Sequence, residues 1–299
     1  MFVECIPNFS EGRRADVVDA LAAAVRESPG VRLLDRHVDA SHHRCVLTFA
    51  GEAEAVGAAA FAACARAADL IDLTGHAGAH PRIGAADVVP FVPLDATPMD
   101  ACVRLAREAG RRIGSELGIP VYLYGEAAVR PERRALPAVR RGGFEGLREA
   151  IGRDPERDPD FGPRRIHPSA GATAVGARRP LVAWNVDLES RDLAAAKAIA
   201  RAVRESGGGL PAVRALGLRM PERDCVQVSM NLVDVETTPV LRAYEAVERL
   251  AAERGIAVRS SELVGLIPRA ALPAGWARRT KLAGGSEDRI LENRLAGFV

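Results

Sequence analysis

The chain of 299 residues has little lysine, few aromatic side chains and no paired cysteines. Each shortage narrows what it can be. Only Lys197 and Lys281 occur, so nearly all positive charge is arginine. Basic residues number 41 against 39 acidic ones, a formal net charge of +2. Nucleic-acid surfaces need a stronger basic bias, and single-strand binding needs exposed aromatics. Aromatics make up 4% of the chain, so no nucleic-acid partner is expected. The five cysteines, Cys5, Cys45, Cys64, Cys102 and Cys225, stand apart in apolar or Ala-rich surroundings, without a CxxC pair. They read as reduced, buried thiols of a reducing compartment. Long apolar runs are also missing. The most apolar helix candidate, 52–69, is Ala-rich and carries Arg66, which argues against a membrane span. Met1-Phe2-Val3-Glu4-Cys5 has neither a basic nor a cleavable apolar leader. A cytoplasmic protein that does not contact membranes is the expectation.

What is present is a regular alternation of elements. Strand-like runs at 2–6, 31–35, 44–50 and 88–92 alternate with helix-period segments at 16–27 and 52–69. That order, β-α-β-β-α-β, is the ferredoxin-like pattern. A helix at 98–117 and a strand at 121–124 extend it. A long stretch from 125 to about 171 carries Pro131, Pro137, Pro155, Pro159, Pro163 and Pro168 and many arginines. It reads as irregular, with room for one short helix near 144–151. The second half repeats the first: strands at 181–186, 212–218, 225–230 and 256–260, helices at 191–204 and 239–254. Pro239 suits the first turn of its helix. The fold class expected is α/β (α+β): two ferredoxin-like βαββαβ subdomains, 1–179 and 180–299, packed with a ligand cleft or tunnel between them. A short, charged, solvated helix is expected at 286–295.

The chemistry concentrates in Gly75-His76-Ala77-Gly78-Ala79-His80-Pro81-Arg82-Ile83-Gly84-Ala85-Ala86-Asp87. Glycines and a proline exclude a long regular helix there. The result is a loop of ionisable groups leading into a core strand, a common way for a scaffold to display chemistry. His76 and His80 stand four apart, a spacing that binds zinc on a helix with a third ligand. Gly78 between them, Pro81 after them and the lack of a neighbouring glutamate argue against metal. Acid–base work near neutral pH suits histidine better. Gly78 would let the chain approach a ligand closely and Pro81 would fix the backbone. The residues alone leave His76 and His80 undecided. His42-His43-Arg44 is a second polar cluster between two strands, expected in an exposed turn; with the fold as read, the alternative is that this turn comes near the histidine loop. Asp160-Phe161-Gly162-Pro163-Arg164-Arg165-Ile166-His167-Pro168-Ser169-Ala170-Gly171 is rigid in parts and basic in parts. It can hold an anionic or planar ligand, as can the nearby arginines, which pair bidentately with carboxylates. Gly207-Gly208-Gly209 follows a helix and precedes no Lys-Ser/Thr, so it is not a phosphate loop. There is no Gly-x-Ser-x-Gly elbow either.

From Val3 to about Leu272 the chain resembles the glutamate formimidoyltransferase (formiminotransferase) family. The resemblance rests on Glu4-Cys5-Ile6-Pro7-Asn8-Phe9-Ser10-Glu11-Gly12, His80-Pro81-Arg82-Ile83-Gly84-Ala85, Val121-Tyr122-Leu123-Tyr124-Gly125-Glu126-Ala127-Ala128 and Pro159-Asp160-Phe161-Gly162-Pro163. It continues through Gly171-Ala172-Thr173-Ala174-Val175-Gly176-Ala177-Arg178, Val226-Gln227-Val228-Ser229-Met230-Asn231-Leu232 and Ser261-Glu262-Leu263-Val264-Gly265-Leu266. It implies transfer of a formimino group from N-formimino-L-glutamate to N5 of tetrahydrofolate, a co-substrate, in histidine degradation. It also implies two α/β subdomains with a ligand tunnel, a homodimer, and no metal. The catalytic histidine of the family falls on His80. The folate-binding segment falls on Gly162 to Gly171, and Asp39 and Arg82 become supporting residues, Arg82 as a partner for a substrate carboxylate. Bifunctional members add a cyclodeaminase domain, for which a sequence stopping at Val299 has no room. Departures stand at Ala79, at Ala170 and in the turn Ser41-His42-His43-Arg44; an aromatic in place of Ala170 would alter stacking on the pterin. Two other readings stay open: a folate-binding or sensing protein without transfer activity, and a related formyl transfer between 5-formyltetrahydrofolate and glutamate.

Overall fold

The computed structural model describes residues 1–272, 275–283 and 287–298. Contacts divide the chain into two units, Met1–Arg178 and Arg179–Val299.

The first unit begins with β1 (Phe2–Cys5) and β2 (Asn8–Phe9). Pro7 separates them because it has no N–H for the ladder, yet its carbonyl still accepts from the Leu47 amide (3.1 Å). The two pieces therefore act as one interrupted strand. Helix α1 (Ala15–Arg26), β3 (Val31–Asp39), β4 (Arg44–Glu52), α2 (Ala53–Leu70) and β5 (Ala86–Pro93) follow. With β1 and β2 counted together, the sheet order is β5, β1/β2, β4, β3, all antiparallel. This is the expected βαββαβ topology.

Three features depart from the sequence reading. Strand β3 runs four residues beyond 35, through the segment read as a loop. Its register with β4 shifts between Leu33 and Asp35 and then continues to Asp39↔Arg44. Beyond that irregularity His37 and Asp39 are buried while Val38 is exposed, so hydrophobic alternation fails as a guide. The second feature is a strand just after the expected irregular region, where none was read. After α3 (Met99–Glu116) and β6 (Val121–Gly125), β7 (Thr173–Ala177) inserts between β5 and β6, parallel to both. All five of its residues are buried. A short strand covered on both faces has no alternation to betray it. The third feature is a second short helix inside that irregular region, α4 (Leu136–Val139), before α5 (Gly143–Ala150).

Helices α1 to α3 cover one face of this sheet around Phe9, Leu21, Phe49 and Phe91. Helices α4 and α5 contribute Val139 and Leu147 to a smaller core with Ile83, Tyr122 and Tyr124. All five cysteines are free and buried, as expected. Burial pushes the Cys45 and Cys64 thiols up to about 12, so neither is a thiolate nucleophile near neutral pH.

The second unit repeats the topology with β8 (Val182–Leu188), α6 (Leu193–Val203), β9 (Val213–Met220), β10 (Cys225–Leu232), α7 (Val240–Ala252) and β11 (Val258–Val264). The sheet order is β11-β8-β10-β9, antiparallel throughout. Trp184 and Trp276 meet edge to face in its core, ring centroids 5.9 Å apart, with Trp276 on α8 (Trp276–Arg279). Of the helix expected at 286–295, Ser286 lies outside the described residues. The remainder is a 3-10 turn at Glu287–Arg289 and α9 (Leu291–Leu295). It is less solvated than expected: Leu291 is buried, and its amide donates to the Ile267 carbonyl (3.0 Å).

Among the described residues, no helix is long and apolar enough to cross a membrane.

Candidate active site

The histidine loop joins a short 3-10 turn at Leu73–Gly75 to β5. Both of its ends are tied to the segment 169–172. The Leu73 amide donates to the Ser169 carbonyl (2.9 Å), Ala85 to Ala170 (2.9 Å), and Ala172 to Ile83 (2.9 Å). Gly171 makes this contact feasible. Its φ is +72°, and a Cβ there would lie 2.3 Å from the Ile83 carbonyl oxygen. The middle of the loop leans on the β3–β4 turn. At Gly78 a Cβ would lie 2.5 Å from the His42 carbonyl oxygen and 2.8 Å from the His43 Cβ. The close approach anticipated at Gly78 is therefore made to this turn.

Two histidine layers result. In the first, His76 and His43 stack in near-parallel planes, centroids 4.1 Å apart. His76 Nε2 donates to the His43 carbonyl (3.0 Å), and its Nδ1 accepts from Arg82 Nε (2.9 Å). Burial holds the His76 pKa below its usual value, with neighbouring His43 and Arg82 adding to the effect against the His43 carbonyl. His43 Nδ1 faces the Ala77 carbonyl (3.0 Å) and its Nε2 faces Glu11 Oε1 (3.2 Å). Both ring nitrogens must carry hydrogen for both contacts to be hydrogen bonds.

Glu11 is buried just before α1. Its Oε1 accepts from the main-chain N–H groups of Gly12 (2.9 Å), Arg13 (2.8 Å) and Arg14 (3.0 Å), and Oε2 from Arg14 Nε (2.5 Å). Burial pushes its pKa up, but the amides of Arg14 and Arg13 and the Arg14 guanidinium outweigh it. The carboxyl is left at about 2.

The second layer is His80 and His42, whose centroids are 5.8 Å apart. His42 is buried, and its main-chain N–H donates to Asp39 Oδ1 (2.7 Å). Asp39 Oδ2 lies 3.8 Å from the His42 ring. His80 Nδ1 is 2.8 Å from the Pro81 carbonyl oxygen. A carbonyl only accepts, so Nδ1 carries the proton and the lone pair is on Nε2. That nitrogen is 2.8 Å from Arg44 Nη1. His80 keeps part of its surface while protein atoms close round the ring. Burial, then the charges of Arg44 and Arg140, then His42, hold its pKa well below the usual range; the Pro81 carbonyl opposes them. Arg140 is itself paired with buried Asp87, which also accepts from the Ile83 amide (2.7 Å).

The site residues expected from sequence fall into three groups. His80, Asp39 and the His42-His43 turn converge, as do Gly171 and Ala170. The turn is not the exposed one expected, since His42 is 1% exposed. Arg82 is near, but its guanidinium is already engaged. It forms a fork with Glu145 (2.8 and 3.2 Å) and donates to the His76 carbonyl (2.9 Å), so it orients His76 and does not stand open to a carboxylate. Within the expected folate segment, Ala170 is 1% exposed and packs in the core. An effect on pterin stacking through its side chain, considered from sequence, does not fit that burial. Gly162, Arg164, Arg165 and Pro168 are exposed, Pro163, Ile166, His167 and Ser169 half-buried. Arg164 pairs with Asp158 (2.7 Å), and His167 Nδ1 accepts from the Ala170 amide (3.0 Å). The four ring nitrogens of His76 and His80 are directed at four separate partners. Among the described residues neither falls in a cluster of three ligating side chains.

Arg44 was named from sequence only as part of the His42-His43-Arg44 cluster, without a role, and Glu11 only within the Glu4–Gly12 motif; nothing in their spacing assigns either a partner in a loop that comes much later in the chain.

Comparisons with known proteins agree over both units. A family model described as the formiminotransferase domain, N-terminal subdomain, matches residues 2–178, and one described as the formiminotransferase domain matches 183–279. A glutamate formimidoyltransferase of Thermoplasma acidophilum is 46% identical, over 98% of this chain and 97% of its own. One from Streptococcus pyogenes is 46% identical over 90% of each chain. The formimidoyltransferase-cyclodeaminase of Rattus norvegicus is 43% identical over 98% of this chain and 56% of its own length.

Proposed function

The chain belongs to the formiminotransferase domain family, and from that premise we propose that it transfers the formimino group of N-formimino-L-glutamate to N5 of tetrahydrofolate, yielding 5-formimidoyltetrahydrofolate and L-glutamate. Tetrahydrofolate is the co-substrate, and the chemistry needs no metal. The homodimer implied by the family resemblance and the cytoplasmic location expected from the sequence belong to the same proposal. So does the division of labour: unit 1–179 supplies the catalytic loop 75–87 and the folate segment 162–171, and 180–299 completes the transferase.

His80 is the general acid–base of this reading. The observation that supports it is a partly open histidine with one defined lone pair, on Nε2, and the opposite nitrogen held by the Pro81 carbonyl. N5 of the reduced pterin attacks the electrophilic formimino carbon, and a tetrahedral intermediate forms. Nε2 takes the proton that N5 loses. The bond from carbon to the glutamate nitrogen then breaks, and His80 returns the proton to that nitrogen. Holding two substrates in register supplies much of the remaining acceleration. Asp39 supports the histidine indirectly, by fixing the turn that carries His42. The exposed rim of 162–168 is the part of the folate segment open to the co-substrate, and 169–171 anchors it to the histidine loop.

An assay with formiminoglutamate and tetrahydrofolate tests the function, with 5-formyltetrahydrofolate plus glutamate as a separate arm. His80→Ala should fold, bind folate and lose at least about a hundredfold in kcat. Near-normal turnover in that variant would overturn the role of His80, and no turnover by the wild type would favour a binding protein.

A further inference from the structure

A base works through its lone pair, and the lone pair of His80 is occupied. Nδ1 is committed to the Pro81 carbonyl, so the contact at Nε2 is a hydrogen bond donated by Arg44 Nη1 at 2.8 Å. In this arrangement His80 cannot take a proton from anything else. Arg44 is the first residue of β4 and pairs with Asp39 across the β3–β4 turn. Its main chain is held close to Gly12, where a Cβ would lie 2.6 Å from the Arg44 amide nitrogen. These contacts fix the backbone, while the side chain is half-buried and reaches His80 through Nη1.

We propose that Arg44 is a positioning residue that caps His80 in the empty site and is drawn off by a substrate carboxylate, so that the base is uncovered only when the donor amino acid is bound. The inference rests on His80 being the base, as argued above. A guanidinium bonds to a carboxylate through a charge-assisted, often bidentate, pair, stronger than its bond to a neutral imidazole. Formiminoglutamate and the glutamate product both carry carboxylates, so the exchange is available to donor and product. Once paired, the guanidinium no longer blocks Nε2, and its charge is balanced when His80 becomes an imidazolium. The depressed pKa of His80 fits this arrangement: the charged groups facing it are Arg44 and Arg140, with His42 beside them. Arg140 is paired with Asp87, whereas Arg44 is the cation that touches the His80 lone pair itself.

The test separates this capping from the base assignment. His80 is titrated by NMR of its ring nitrogens in the wild type and in Arg44→Gln, each with and without saturating L-glutamate, and with matched sodium chloride as the screening control. Removing a cation in contact favours protonation, so the His80 pKa should rise by about one unit or more in Arg44→Gln. L-Glutamate should raise it in the wild type and leave it unchanged in Arg44→Gln, whose KM for formiminoglutamate should be up about tenfold or more. Because the base must be neutral, activity is lost as pH falls through its pKa. The acid limb of kcat/KM should therefore move to higher pH in Arg44→Gln. Arg44→Lys keeps the charge, so its acid limb should stay near the wild-type position while KM remains raised. A His80 pKa that is the same in wild type and Arg44→Gln overturns the capping, as does a wild-type pKa that ignores L-glutamate. An active His80→Ala enzyme instead removes the premise, an outcome the titrations by themselves do not produce.

Discussion

Replacing Glu11 by glutamine should remove a large, pH-dependent part of the stability of the first unit. Glu11 is 1% exposed and receives three main-chain N–H groups and the Arg14 guanidinium. Its carboxyl is lowered from 4.5 to about 2, a difference worth about 3 kcal/mol at neutral pH. The sign follows from the direction. A carboxyl whose folded pKa is depressed contributes its stability above the unfolded value, and that contribution is lost as pH falls from about 5 toward 2. Glutamine keeps one acceptor oxygen but loses the charge, and it places an amide where an acceptor is needed. Urea unfolding of wild type and Glu11→Gln at pH 7 and pH 3, followed by far-UV circular dichroism, measures the difference. The wild type should lead by about 2–3 kcal/mol at pH 7, and the gap should narrow by about 2 kcal/mol at pH 3, still above the folded pKa. A gap that is the same at both values would show that Glu11 acts through packing and not through its charge, and would refute the reasoning.

Other predictions bear on the loop. Gly78→Ala places a methyl against the His42 carbonyl and His43, so the loop must lift from the turn. Steady-state assay should show kcat down about tenfold or more from misplacement of His80, with folate affinity little changed; an unaffected kcat would mean the contact does not position the base. Dialysis against a chelator should leave the transferase rate unchanged, and a loss restored by zinc would reinstate the metal reading of His76 and His80.

How far the sequence carried can be seen element by element. Periodicity found both βαββαβ repeats, because strands packed on one face and helices on one stripe reveal themselves through apolar spacing. It failed at β7, buried on both faces, and at the end of β3, where polar His37 and Asp39 turn inward after an irregular pairing. The same limit applies at the site. Glycines and proline marked 75–87 as a display loop, and the family motifs singled out His80. Spacing could not show that Gly78 rests on the His42-His43 turn, that Glu145 occupies Arg82, or that Arg44 occupies His80.

The sequence by itself determined the order of elements, the family and the residue types available for proton transfer, since these depend on local pattern. Tertiary structure alone decided what covers the lone pair of His80. That depends on hydrogen bonds between residues 36 positions apart in the chain, as between Arg44 and His80, and such pairing is set by how β4 and the loop before β5 meet, which no local pattern encodes.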